Sequence, residues 1–130
     1  MRYLIAFLTF LMLSAPLVAQ DIAHEVMTDE LNDPWGVAFL PDGDILVTEH
    51  AGALRVIRDG QLMDEPVAVI EEVFQHSQGG LFDVVLHPKF AENRLIYLSY
   101  AMGTSERNAT KLIRATFTGT ALTNIETVYV

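Results

Sequence analysis

The side chains best suited to metal binding or acid–base chemistry are four histidines, His24, His50, His76 and His87. Their positions show neither the i, i+4 spacing nor the clustering that is typical of a metal site. His24 lies near the N-terminus and is expected to be solvated. His50 follows a predicted strand, which favours a surface or packing role, and His87 is expected to end a strand with its ring capping backbone groups. The histidines alone therefore predict no metal centre.

Other reactive patterns are missing from the sequence or have simpler explanations. The chain has no cysteine, which excludes disulfides, a cysteine-ligated zinc site and a thiol nucleophile. It shows no readable Ser-His-Asp arrangement and no glycine-rich phosphate loop. Asp42-Gly43-Asp44 lacks the further oxygen donors of a calcium site, so we interpret it as a turn. Glu71 and Glu72 are adjacent and would point to opposite sides of a strand, which predicts a solvated face.

Composition limits the class of partner. The chain has 130 residues, of which 51% are hydrophobic and 19% charged, which is enough for one small globular domain. Its net charge of -9 would repel phosphate backbones and anionic lipid. We therefore expect no nucleic-acid partner and no membrane-surface partner.

Residues 1–19 have the three parts of a signal peptide. Arg2 gives a positive start, residues 3–13 form an apolar run, and Ala19 is a small residue at the expected cleavage point. The apolar run is too short for a comfortable membrane span, and the alternatives are an uncleaved anchor or a buried helix. The sequence thus predicts a periplasmic or secreted protein with a folded part over residues 20–130 and no membrane insertion after cleavage.

Strand and turn signals follow one another through residues 20–130, where no segment has helical periodicity over eleven residues. A polar loop is expected at 103–110. Two stretches share an apolar strand, a proline turn and a second apolar strand, with Pro41 and Pro88 47 positions apart. An all-strand repeat of that length is typical of β-propeller blades, and the alternative is two hairpins in a sandwich. The predicted strands are 35–40, 44–48, 53–58, 66–70, 81–86, 95–100, 111–117 and 122–130.

Five strings are more specific than this periodicity. In their order and spacing they resemble the start of the glucose/sorbosone dehydrogenase family, the soluble aldose sugar dehydrogenases that depend on pyrroloquinoline quinone (PQQ). The resemblance covers nearly all of the chain from Leu31 to Val130. The strings are Leu31–Gly43, Leu46–Glu49, Gln78–Val84, His87–Phe90 and Asn93–Tyr100.

The resemblance implies an all-β fold, a six-bladed β-propeller of four-stranded sheets. Residues 20–130 would form about its first two blades. It also implies an oxidoreductase in which aldose sugars are oxidised at C1 to lactones by hydride transfer to PQQ, assisted by calcium, with a histidine as general base. The implied partners are the sugar and an electron acceptor.

Few functional residues of the family fall within this chain. Gln78 matches the family glutamine that lines the sugar and PQQ pocket, and its amide can both donate and accept hydrogen bonds to a polyhydroxy ligand. Gly79 and Gly80 would let the backbone pass close to the cofactor. His76 falls outside the matched motif, but it lies two residues before Gln78 and is a candidate for the pocket rim. The alternative is a Gln-Gly-Gly turn that enters a strand. His50 is a departure, because family members often carry arginine there.

The general base, the basic residues that hold the quinone carboxylates and the calcium ligands belong to family segments that would lie beyond Val130. We therefore expect an N-terminal fragment without catalytic residues or metal ligands. By itself it should bind neither PQQ nor calcium, be inactive and be marginally stable. Two alternative functions are a non-catalytic exported propeller scaffold and a lactonase-type propeller hydrolase. The hydrolase needs Glu, Asn and Asp ligands around a central metal, and the Gln-Gly-Gly motif argues against it.

Overall fold

Two antiparallel sheets follow one another along the chain in the computed structural model, which describes residues 22–130. The predicted signal peptide, residues 1–19, lies outside the described residues. The first sheet contains β1 (Pro34–Phe39), β2 (Ile45–Glu49), β3 (Ala53–Arg58), β4 (Gln61–Leu62) and β5 (Ala68–Val69). The second contains β6 (Leu81–Leu86), β7 (Leu95–Gly103), β8 (Asn108–Phe117) and β9 (Leu122–Tyr129), with α1 (Phe90–Asn93) between β6 and β7.

The first sheet is a four-stranded meander whose last strand is interrupted. Its order is β1-β2-β3-β4, and β5 also pairs with β3. Between β4 and β5, the N–H groups of Met63 and Val67 donate to carbonyls of β3 over 2.9 and 2.8 Å. The two short strands are therefore halves of one segment that follows β3. The strand predicted at 66–70 is confirmed in this shorter form.

The second sheet has the order β6-β7-β8-β9. The prediction of a loop over 103–110 is wrong in its extent, because Gly103 pairs with Asn108 and only residues 104–107 connect β7 to β8. Polar residues can form the ends of β7 and β8 next to this connection, because residues 103–110 are exposed to solvent. Within residues 22–130, no helix has the length and apolar character needed to cross a membrane.

The buried core lies between the two sheets, which pack face to face. Side chains alternate along each strand, so every second residue points into this interface. Removing apolar surface from water stabilises a fold by about 25 cal/mol per Å², which makes this contact the main source of stability. Its buried residues are Leu40, Leu46, Leu54, Val56, Val67, Leu81, Val84, Phe90, Ile96, Leu98, Tyr100, Ile113 and Phe117.

Each sheet also has an apolar outer face that is only partly covered. On the first sheet, Leu31 packs against part of this face, whereas Val37 and Phe39 of β1 are exposed. On the second sheet, Val85 of β6 and Tyr129 of β9 are exposed. Both outer faces therefore have the apolar character of surfaces that pack against a further sheet.

Candidate ligand site

One end of the two-sheet unit gathers the loops that carry the residues of interest, and we call it the site end. It comprises the starts of β1 and β6, the turn at residues 50–52 and the loop at residues 70–80. The turn and the loop meet where the Leu81 N–H donates to the His50 carbonyl over 2.9 Å. The opposite end, called the far end, carries turns at residues 41–43, 59–60 and 118–121.

Gln78 lies in a tight turn within loop 70–80. His76 and Gly79 exchange two backbone hydrogen bonds of 2.8 Å, which leaves Ser77 and Gln78 as the central residues of the turn. Ser77 has a left-handed φ of 54°, a conformation that short hairpin turns require. The Gln78 side chain is exposed, so its amide can reach a ligand from solvent. The Gln-Gly-Gly turn into β6 is therefore present, and its contact with a ligand stays a prediction.

Contacts within the protein leave little room for a side chain at either glycine of the motif, Gly79 or Gly80. His50 is 5% exposed, and its ring lies against the Gly80 backbone. A Cβ on Gly80 would overlap that ring and lie 2.5 Å from the His50 carbonyl oxygen, and one on Gly79 would lie 3.1 Å from the His76 carbonyl oxygen. Of the two roles predicted for His50, packing is confirmed. Close approach of Gly79 and Gly80 to a cofactor stays a prediction.

Trp35 stacks on His50 at the start of β1. Their ring centroids are 5.0 Å apart with planes 16° from parallel, and the indole also lies 6.3 Å from the Phe82 ring of β6. The His50 Nε2 is buried and finds no hydrogen-bond partner among residues 22–130. About half of the Trp35 surface remains exposed. An aromatic surface thus lies beside the Gln-Gly-Gly backbone, a placement that the strand pattern around Trp35 did not predict.

A buried hydroxyl joins the two sheets beneath the site end. Thr48 Oγ1 donates to the Phe82 carbonyl over 2.5 Å and accepts from the Gly36 N–H over 2.8 Å. A Cβ on Gly36 would lie 2.9 Å from the same Phe82 oxygen, so glycine permits this close approach of β1 and β6. Because buried backbone groups are costly to leave unpaired, Thr48 sets the spacing of the two sheets here.

Glu72 connects the start of loop 70–80 to the second sheet. Its Oε2 accepts hydrogen bonds from the Tyr100 hydroxyl over 2.8 Å and from the Lys111 ammonium over 2.6 Å. The hydrogen bond from Lys111 lowers the pKa of Glu72, and the hydrogen bond from Tyr100 lowers it further by a smaller amount. Burial and the bond to Glu72 raise the pKa of Tyr100. The interpretation of Glu71 and Glu72 as a solvated face misses this contact, because the partners lie 28 and 39 positions away.

The other candidate residues have surface or structural roles. His24 and His76 are exposed, and the His76 ring stacks on Phe74 with centroids 5.8 Å apart. The His87 Nδ1 accepts a hydrogen bond from the Lys89 N–H over 3.0 Å, which confirms its predicted capping role. In the part of the chain that the structure describes, no three His, Asp or Glu side chains are grouped to hold a metal ion.

A cavity of about 260 Å³ lies at the far end of the unit. It contains none of the candidate residues of the Gln78 turn, so we do not assign it to the same site. Its lining includes Val56, Arg58, Met63, Val67, Gly119 and Thr120.

Comparison with known proteins gives the geometry a family context. The Glucose / Sorbosone dehydrogenase family matches residues 31–130. The uncharacterized protein slr1608 of Synechocystis sp. is 45% identical over 109 residues, which are 78% of this chain and 26% of that protein. The aldose sugar dehydrogenase YliI of Escherichia coli is 46% identical over 78 residues, which are 59% of this chain and 21% of that protein.

A solved structure extends the similarity to the fold. The soluble aldose sugar dehydrogenase of Escherichia coli, in its apo-form, matches with a TM-score of 0.74 and 38% identity, over 81% of this chain and 31% of that one. The chain thus spans about a fifth to a quarter of the curated relatives it matches and about a third of this solved structure. The all-β prediction is confirmed, and the two sheets are adjacent propeller blades. The chain belongs to the glucose/sorbosone dehydrogenase family.

Proposed function

We propose that the two sheets form one wall of the active site of an exported, PQQ-dependent aldose dehydrogenase that oxidises its sugar at C1 to a lactone. The observation that carries the proposal is the Gln78 turn. It holds an exposed amide at the end of the blade pair where β1 and β6 both begin. Family membership supplies the reaction class, since a fold alone does not specify one.

Gln78 would bind the sugar. A neutral amide offers two donors and an acceptor, so it can pair with several hydroxyl groups of an aldose at once. The amide needs a fixed backbone to do so, because a displacement of about 1 Å at a reacting centre can cost on the order of 100-fold in rate. The paired hydrogen bonds between His76 and Gly79, and the packing of Gly80 on His50, provide such a backbone.

The site end fits one side of a PQQ site. When bound, PQQ would accept the hydride that leaves C1. Loop 70–80 offers an amide and closely packed backbone, but it contains no lysine or arginine to balance the quinone carboxylates. Residues 22–130 also show no cluster of side chains for calcium. In the proposal, the basic residues that hold the quinone carboxylates, the calcium ligands and the histidine base belong to other blades.

The proposed setting is the periplasm or the cell exterior. The support is the sequence of residues 1–19, which has the three parts of a signal peptide. Fusing residues 1–25 to a reporter that folds only after export would test this proposal. Retention of the reporter in the cytoplasm would contradict it.

The catalytic proposal can be tested in a chimera of the matched Escherichia coli enzyme. Residues 31–130 of this chain would replace the corresponding segment of that aldose sugar dehydrogenase. If the two blades form an equivalent wall, the chimera should reduce a dye in the presence of aldose, PQQ and calcium. A folded chimera without sugar-dependent reduction would contradict the proposal.

The 130-residue chain by itself provides the matching negative control. We expect no turnover from it with the same sugar, PQQ and calcium. In the proposal, the histidine base and the basic residues that hold the quinone carboxylates lie on other blades. Sugar-dependent reduction by the isolated chain would contradict this division of the site. The chimera therefore tests whether this wall functions within a complete active site, and the isolated chain tests whether the wall is enough for catalysis by itself.

A further inference from the structure

We infer that Glu72, Tyr100 and Lys111 form a clamp that positions the Gln78 turn. None of the three is proposed to touch the substrate, and the inference rests on the proposed function only where it refers to sugar binding. Loop 70–80 is held against the second sheet at two places, one of which is this clamp.

The first attachment holds the start of the loop. The Glu72 carboxylate receives hydrogen bonds from the Tyr100 hydroxyl on β7 and the Lys111 ammonium on β8. Just after it, the Phe74 N–H donates to the Ala101 carbonyl over 2.8 Å. Side-chain and backbone contacts thus attach residues 72–74 to the ends of two neighbouring strands.

The second attachment holds the end of the loop on the same strand. The Ala101 N–H donates to the Gly80 carbonyl over 2.9 Å, and Leu81 pairs with Tyr100 in the sheet. The two ends of the segment 74–80, Phe74 and Gly80, therefore both bond to the backbone of Ala101 on β7. Gln78 lies between the two attachments, so movement of either one displaces its amide.

The chemistry of the clamp favours a fixed geometry. Tyr100 is 1% exposed, so its ring cannot follow a displaced loop. The Lys111 side chain is 14% exposed and that of Glu72 is 57% exposed, so the two less exposed partners fix the position of the carboxylate. A carboxylate that accepts from an ammonium forms a short, charge-assisted hydrogen bond, which is stronger than one between neutral groups. The hydrogen bond to Glu72 also raises the pKa of Lys111.

The same strand offers a matched control. Arg114 of β8 pairs with Glu126 of β9 over 2.6 Å, the same distance as between Lys111 and Glu72. This second ion pair joins two strands of one sheet and has no contact with loop 70–80. Removing Glu126 deletes an ion pair from β8 without detaching the loop.

The test is hydrogen exchange of the purified chimera, followed by mass spectrometry on the peptide that covers residues 73–80 of this chain. In Glu72→Ala the amides of this peptide should exchange about tenfold faster than in the wild type, since loss of about 1.4 kcal/mol of local stability gives that factor. Tyr100→Phe keeps the ring and should show a smaller increase. Glu72→Gln retains an acceptor oxygen and should restore part of the protection.

The Glu126→Ala control separates loss of the clamp from general destabilisation of the fold. Glu126→Ala should leave exchange in residues 73–80 unchanged. Equal rates in Glu72→Ala and the wild type would overturn the inference, and so would an equal acceleration by Glu126→Ala, because general destabilisation would then explain the effect. This readout needs no catalytic activity, so it decides the inference even if the proposed function fails.

A second measurement links the clamp to the sugar. In the chimera, Glu72→Ala should raise KM for the aldose about five- to tenfold and change kcat less, because the displaced amide binds the sugar less well. Faster exchange with an unchanged KM would overturn the link to sugar binding. Loss of all activity in the unsubstituted chimera would count against the proposed function alone.

Discussion

The two ends of the blade pair are joined by different kinds of polar contact. At the site end, the fully buried Thr48 hydroxyl connects β2 to the Phe82 carbonyl of the neighbouring sheet. At the far end, the Arg58 guanidinium pairs with Asp44 over 2.6 Å and donates to the Gly119 carbonyl over 3.1 Å. The Arg58 side chain is 36% exposed.

Glycines show the same difference between the ends. Gly80 has no space for a Cβ because His50 fills it, whereas Gly43 at the far end has a φ of 96° and no atom within 4 Å of an added Cβ. Gly43 thus serves local turn geometry at the far end, whereas Gly36 and Gly80 serve close packing between segments distant in sequence at the site end. The end that carries Gln78 is therefore the more tightly constrained one.

Gly80→Ala should have the largest effect. The new Cβ would overlap the His50 ring and backbone, and such overpacking should lower the free energy of unfolding by about 3 kcal/mol. Urea unfolding measures the loss, with Gly43→Ala as the control. The control adds only the strain of a positive φ, about 1 kcal/mol. Equal losses at the two positions would remove the contrast between the ends.

Thr48→Val should have the next largest effect. The substitution keeps the shape but leaves the Gly36 N–H and the Phe82 carbonyl without their buried partner. We expect a loss of about 2 kcal/mol in the free energy of unfolding. Thr48→Ser retains the hydroxyl and should lose less. If serine and valine were equally destabilising, the hydroxyl would not be what joins the sheets.

The clamp should give loop 70–80 a characteristic pH dependence. The lowered pKa of Glu72 means that its contribution is complete above its ordinary pKa near 4.5 and is lost as pH falls through the folded value. Tyr100 and Lys111 have raised pKa values, so their contributions are present below about pH 10 and are lost as pH rises further. The stability difference between wild type and Glu72→Ala should be constant from about pH 5 to 9 and shrink below pH 4. Unfolding curves across this range measure it, and a difference that persisted unchanged at pH 3 would count against the clamp.

Arg58→Gln should have the smallest effect. The Arg58 guanidinium is partly exposed, whereas its partner Asp44 is buried. Glutamine can still donate a hydrogen bond to the Asp44 carboxylate, and solvent reaches the pair on the Arg58 side, so the lost charge should cost little and be screened by salt. The melting temperature should fall slightly at low ionic strength, with the difference from wild type vanishing in about 1 M salt. A decrease as large as that of Thr48→Val, and independent of salt, would show that the far end is as constrained as the site end.

Local patterns were enough to predict most of the fold. The strands at 53–58 and 81–86 are observed with those bounds, and Asp59 and Gly60 adopt the positive φ values of a hairpin turn. These features depend on alternation and turn chemistry within a few residues. The extent of the 103–110 loop was wrong because pairing of Gly103 with Asn108 overrides the polar composition of both strands.

The candidate site was less predictable because it is built by contacts between distant residues. The Gln78 turn was found from its motif, but Trp35, His50 and Gly80 meet only after two sheets have packed. Glu72 carries no local sign of its partners on β7 and β8. Burial and pairing of single polar residues are consequences of sheet packing, which one sequence without its fold does not specify.

The most direct test of the account is the effect of Gln78→Ala on kcat/KM for the aldose in the chimera. Gln75→Ala is the matched control, because Gln75 is also exposed and lies in the same loop, outside the His76–Gly79 turn. The account predicts a decrease of about 10- to 100-fold for Gln78→Ala, since one or two hydrogen bonds to the sugar are lost, and little change for Gln75→Ala. An active chimera in which both variants keep the full kcat/KM would contradict the assignment of this turn to the sugar site.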